Sequence, residues 1–245
     1  MRAIRTIVAC LLGTALVVAG CSASEELTSQ DLDAVIYNIA PVNNAPEAIH
    51  VCNRKPGQGV LMSFDDYGTD QQVHAILDRL RFHHMRAVFF PTGAWAEQHL
   101  DLIDQMKMEG HMVGNHTYTH ADLGELSVRN EAQFYSEIYP LKGVANTFPM
   151  LLRPPFEAGA YDAIVGERLT DNNAQGCTWT ADTRDWRGGG VEQIMGLLMH
   201  GDMNAAPLGP DGVILSHMHA QHTPAVIDAV VQYLSEKGWA YERTA

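Results

Sequence analysis

Two histidines four residues apart, His116 and His120 in GNHTYTH, and two adjacent acids, Asp65 and Asp66 in GVLMSFDDYG, are the residues whose types and spacing could do chemistry. If the chain winds through one turn at GNHTYTH, the two imidazoles come close enough to share one ion. Alone the pair says little, because the chain has 12 histidines and such spacings arise by chance. A carboxylate from elsewhere changes this, since two imidazoles and one carboxylate make a three-ligand metal site with positions left for water and substrate. The adjacent acids pose a geometric question. Successive side chains of a strand point to opposite faces, so Asp65 and Asp66 serve one site only if the strand ends there and the turn aims both inward.

The elements that must position these residues follow from periodicity. Short apolar runs alternate with helical segments. VLMSF (60–64) precedes a helix over 71–83 with Val73, Ile76, Leu77 and Leu80 on one face, and AVFFP (87–91) precedes a helix from Trp95 to Gly110. HMVGNH, a helix from Leu123 to Tyr139, MLLRP, a helix from Tyr161 to Leu169, GCTWTAD, a helix from Val191 to Met199, GVILSH, PAVIDAVVQYLSEKG and WAYER continue the pattern. Seven strands alternating with helices predict a parallel sheet covered on both faces. The conspicuous polar residues fall at the C-terminal ends of five strands: Asp65 with Asp66, His116, Arg153, Asp182 and His217. Barrels of alternating strands and helices build their sites at that end, whereas an open doubly wound sheet gathers a ligand around one switch point. Five contributing ends therefore predict a closed or nearly closed ring.

Composition narrows the function. The 29 acidic residues outnumber 16 basic ones, and the basic residues form no stripe, which argues against a nucleic-acid partner. No Gly/Ser-rich or Pro-rich linker divides the chain, so one catalytic domain is expected over 49–245. Before it, MRAIRTIVACLLGTALVVAGC has Arg2, Arg5 and an apolar run from Ile7 to Ala19, shorter than the roughly 20 residues of a membrane span. It reads as a secretory signal over 1–20. VAGC resembles the lipobox of bacterial lipoproteins, which implies that Cys21 is acylated and anchors the mature chain to a membrane through a tether over 21–48. Cys52 and Cys177 remain in the exported domain, where either a disulfide or two separate buried thiols is open. No protein partner is expected.

Read together, the segments resemble the polysaccharide deacetylases of carbohydrate esterase family four. SFDDYG, HTYTH, RPPF, DTRDW and LSH are similar to its five motifs in order, HADLGELS to the run after the second, and the resemblance covers 59–243. It implies a distorted (β/α) barrel. It also implies that Asp66, His116 and His120 bind a divalent metal, zinc by preference, with cobalt, nickel or manganese as alternatives. Asp65 would be the general base, paired with Arg153, and His217 the general acid, oriented by Asp182. Trp186 and Leu215 would line an apolar pocket for the acetyl methyl group, and the backbone N–H of Tyr67 would help hold the oxyanion. Asp185 is expected to be structural, and His219 and His222 to be loop histidines beside the acid.

These roles agree with the demands of amide hydrolysis: an acidified water, a base that stays ionised, and an acid to protonate the departing amine. Three features depart from the family pattern. Tyr67 stands after the second Asp, Phe156, Glu157 and Ala158 separate the prolines from Gly159, and Met218 follows the fifth-motif histidine. The leading expectation is a metal-dependent enzyme that removes N-acetyl groups from an envelope or extracellular glycan such as peptidoglycan, a chitin oligomer or an exopolysaccharide. An esterase for O-acetylated xylan, a small-molecule amidohydrolase and a non-catalytic carbohydrate-binding envelope protein are the alternatives.

Overall fold

The computed structural model describes Cys52 and residues 54–244 apart from Asn204. The expected signal, Cys21 and the tether lie outside the described residues. The strands are β1 (Leu61–Asp66), β2 (Ala87–Pro91), β3 (Met112–Val113), β4 (Met150–Leu152), β5 (Ala174–Gly176), β6 (Ala181–Asp182) and β7 (Val213–His217). The helices are α1 (Asp70–Phe82), α2 (Gly93–Ala96), α3 (Leu100–Met108), α4 (Leu123–Arg129), α5 (Glu131–Ile138), α6 (Ala163–Asp171), α7 (Val191–His200) and α8 (Thr223–Lys237).

The strands pair in parallel in two groups, a five-stranded sheet of order β3-β2-β1-β7-β6 and a two-stranded sheet β4-β5. A parallel bridge between Asn115 and Leu152 joins the groups on one side. Gly114 permits that approach, since a Cβ there would lie 2.6 Å from the Phe90 ring and 2.7 Å from the Leu151 carbonyl. On the other side, residues 177–180 run from β5 to β6, which belong to different sheets. The fold is a distorted (β/α) barrel with a seam there.

Alternation along the strands sorts side chains between interior and shell. Leu61, Val88, Phe90, Leu151, Cys177 and Val213 pack together inside with Cys52. Met62, Phe64, Phe89 and Ile214 face outward into the apolar stripes of α1, α3, α7 and α8, including Ile76, Leu80, Met106, Leu198 and Val230. A smaller cluster covers the two-stranded sheet, with Met150, Leu152 and Ala174 against Leu123, Phe134, Ile138 and Val165. Cys52 and Cys177 form a disulfide, which settles the alternative left open by the sequence.

Four expectations change. The helix from Leu123 to Tyr139 is two helices, because Asn130 (φ −152°, ψ 88°) closes α4 through its N–H to the Leu126 carbonyl and caps α5 by accepting from the Gln133 N–H. The helix from Trp95 to Gly110 breaks likewise at His99, whose ring stacks on Trp95. GCTWTAD contributes to two strands, and WAYER makes only isolated bridges, Val60 with Tyr241 and Met85 with Arg243.

Candidate active site

The adjacent acids reach one cavity because the strand ends on the second of them, Asp66. Asp65 continues the inward series of Leu61 and Ser63. Asp66 would point into the helical shell, but its backbone is left-handed (φ 74°), a conformation Asp tolerates better than most residues. That turn brings its carboxylate back over the barrel mouth. The bend is held on both sides, by Thr92 N–H donating to the Asp66 carbonyl and Met218 N–H donating to that of Asp65.

His116 and His120 converge through an irregular loop with two left-handed residues, Thr117 (φ 63°) and His120 (φ 67°), rather than one helical turn. Buried Glu137 supports the loop by accepting from both the N–H and the hydroxyl of Thr119, at 2.7 and 2.8 Å. Nε2 of His116 and of His120 lie 3.2 and 3.1 Å from Oδ1 of Asp66. That oxygen is buried and has no hydrogen-bond partner among the described residues. His116 Nδ1 donates to the Arg153 carbonyl at 2.8 Å, which leaves Nε2 with its lone pair toward the cavity. An orphaned carboxylate oxygen and two imidazoles aimed at a common point fit a divalent cation, and Asp66, His116 and His120 are the residues that could hold it. Burial pushes the Asp66 carboxyl up, but the two histidines outweigh it and hold it well below the usual carboxylate range.

Arg153 is fully buried inside the barrel. Its Nη1 donates to Asp65 Oδ1 at 2.7 Å and to the Ser63 hydroxyl at 2.8 Å, Nε donates to the Cys177 carbonyl, and Nη2 to the Thr178 carbonyl, both at 3.0 Å. The guanidinium also lies over the Phe90 ring, 4.4 Å from its centre. Burial lowers the pKa of its guanidinium, opposed by Asp65.

The partner of His217 differs from expectation. Asp185, not Asp182, accepts from His217 Nδ1 at 2.7 Å, and its second oxygen accepts from the His217 N–H and the Thr223 hydroxyl, each at 3.0 Å. The cause is local. After β6 the chain turns left-handed at Arg184 (φ 48°) and tucks Asp185 beneath the end of β7, while Asp182 accepts from the Arg184 N–H at 2.8 Å and lines the cavity wall. Burial favours neutral His217, but the hydrogen bond and charge of Asp185, with Asp65 and Asp66 adding, push its pKa up to about 9. Burial raises the Asp182 pKa.

These groups surround a cavity of about 400 Å³. Leu215 and Trp186 line it as expected, Leu215 buried and Trp186 half-exposed. Trp179, Phe156 and His219 also line it and were not singled out as site residues by sequence. His219 stands two residues past His217 in the loop after β7, where strand alternation no longer sets a direction. Tyr67 stands at the mouth with its side chain half-exposed and its ring stacked on His219, centres 5.2 Å apart. Phe156, left-handed at φ 59°, packs edge-on against His120.

The comparisons with known proteins agree with this geometry. Residues 53–176 match the family described as polysaccharide deacetylase. The chain is 30% identical over 190 residues to a peptidoglycan-N-acetylglucosamine deacetylase of Bacillus cereus, covering 73% of this chain and 64% of that protein. It is 29% identical over 164 residues to a chitooligosaccharide deacetylase of Rhizobium leguminosarum bv. trifolii, covering 65% of this chain and 71% of that one. A family 4 carbohydrate esterase from Streptomyces lividans, solved with acetate, has the same fold with a TM-score of 0.61 and 26% identity, over 74% of this chain and 90% of that one. The family match ends at Gly176, and the fold brings the later DTRDW and LSH segments to the same cavity. On this match, and with the residues of all five motifs beside one cavity, the chain belongs to the polysaccharide deacetylase family.

Proposed function

We propose that this protein is a metal-dependent hydrolase that removes N-acetyl groups from an envelope or extracellular glycan containing N-acetylglucosamine. The observation that carries the reading is the convergence on one cavity of a three-ligand cluster, a carboxylate paired to arginine, and a histidine paired to carboxylate. When bound, a divalent cation, zinc by preference, acidifies a water and polarises the acetyl carbonyl. Asp65 accepts the proton of the attacking water. Arg153 holds its carboxylate in place, with one oxygen committed to the guanidinium and the other facing the cavity side, 3.8 Å from His116 Nε2.

His217 protonates the departing sugar nitrogen. Asp185 fixes its tautomer by accepting from Nδ1, so Nε2 is the nitrogen that delivers the proton. Leu215, Trp179 and Trp186 supply the apolar wall against which a methyl group packs. A protein that only binds glycan has no need of the full set of acid, base and ligands, which favours the enzyme over a binding module.

The relatives point to N-acetylated glycans as the substrate class, through one that acts on peptidoglycan and one named for chitooligosaccharides. For location, the apolar leader and VAGC sequence support an exported lipoprotein anchored through Cys21. The disulfide supports an oxidising compartment.

The test is acetate release from peptidoglycan, N-acetylglucosamine oligomers and acetylated xylan, with and without chelator. Chelator-sensitive release from the first two is expected. Release from xylan alone would replace the reading with an O-acetyl esterase, and no release from any glycan would refute it.

A further inference from the structure

A buried guanidinium is tolerated only when its donors find acceptors, and Arg153 finds two of them on the seam of the barrel. Its Nε and Nη2 bond the carbonyls of Cys177 and Thr178, both 3.0 Å away. These residues begin the segment that crosses from β5 to β6, where the ring has changed sheets. The Cys177 N–H donates to the Leu152 carbonyl at 2.8 Å, which ties the segment to the β4 side. On the other side it is tied by a covalent bond, from Cys177 to Cys52, nine residues before β1 begins. The disulfide also touches the guanidinium, with Cys177 Sγ 3.6 Å from Nη2.

From this arrangement we propose that the Cys52–Cys177 disulfide is a positioning element for catalysis. It fixes the seam carbonyls that aim Arg153, and through Arg153 it fixes Asp65. The chain of contacts is continuous: disulfide, Cys177 and Thr178 carbonyls, guanidinium, Asp65 Oδ1 at 2.7 Å. Reduction by a dithiol breaks the Sγ–Sγ bond, transfers two electrons and two protons to give two thiols, and leaves the reductant as a cyclic disulfide. Freed of the bond, Cys177 keeps its carbonyl but loses one anchor, and the guanidinium follows its acceptors. Activity is then tied to the oxidised state, so turnover rises with the oxidation that accompanies export and is slowed while the cysteines are reduced.

This inference rests on the deacetylase reading, and the experiment separates the two. The Cys52→Ser/Cys177→Ser variant and dithiol-treated wild type are compared with oxidised wild type, in the intact metal-loaded protein well below its melting temperature. The expected result is a fall in kcat of at least about tenfold with KM unchanged within about twofold and near-UV circular dichroism retained, reversed in the wild type by reoxidation. In an Arg153→Lys background, removing the cysteines should cost less than about twofold further, because the route through the guanidinium is already broken.

An unchanged kcat, or the same loss in both backgrounds, overturns the proposal. Loss of the near-UV signal on reduction also overturns it, since the bond then serves stability alone. If wild type releases no acetate from any glycan, the deacetylase reading fails, and solvent exchange of the Arg153 Nε proton still decides the contact chain. Faster exchange on reduction supports it, and equal exchange refutes it.

Discussion

At the scale of single residues, the site separates two pairs of acids that the sequence writes almost identically. Asp65 and Asp66 differ by one backbone turn, and Asp182 and Asp185 by another, at Arg184. Asp65→Asn should leave metal bound while lowering kcat by about 10²–10⁴, the usual weight of a general base, as read by elemental analysis beside acetate release. His120→Ala should lose the metal in the same elemental assay. Asp185→Asn should cost far more kcat than Asp182→Asn, and equal losses would restore the reading in which Asp182 orients the acid.

The pH profile carries the same distinction. In the proposed mechanism His217 acts in its protonated form, and its pKa is raised to about 9, so turnover should fall as pH rises toward that value. Removing the Asp185 charge lowers the pKa, and the alkaline limb should move to lower pH. The same sign governs stability, because the His217–Asp185 pair contributes fully below the ordinary histidine value near 6.5 and is lost as pH rises through about 9.

At the scale of elements, periodicity located the strands whose ends build the site but not the breaks between elements. The inward series Leu61, Ser63, Asp65 and the helical stripe of Val73, Ile76, Leu77 and Leu80 are legible because burial imposes them on every turn or alternate residue. The break at Asn130 is written in one capping side chain, and the split of GCTWTAD in the change of sheet at the seam, neither of which has a period. The Asp185–His217 pair was hidden for a related reason, since a single left-handed residue decides which of two acids faces the histidine.

Loop support is testable at this scale. Glu137→Gln weakens a buried carboxylate that holds both the N–H and the hydroxyl of Thr119. It should destabilise the fold by about 1–3 kcal/mol in denaturant titration and lower metal affinity through the loop that carries His120. The disulfide closes a sequence separation of 125 residues, so its removal should cost about 2–5 kcal/mol in the same measurement.

At the scale of the whole molecule, family and fold were legible because five short motifs fall in order at strand ends. The substrate of the proposed activity was not legible, because Tyr67, Phe156 and His219 lie on irregular segments at the rim where alternation gives no direction. Cys52 packs with Leu61 and Val213, the residues that open β1 and β7. If Cys21 carries the lipid, the intervening chain reaches at most on the order of 100 Å when extended. On such a leash the domain would meet polymer only within a shell of about that depth.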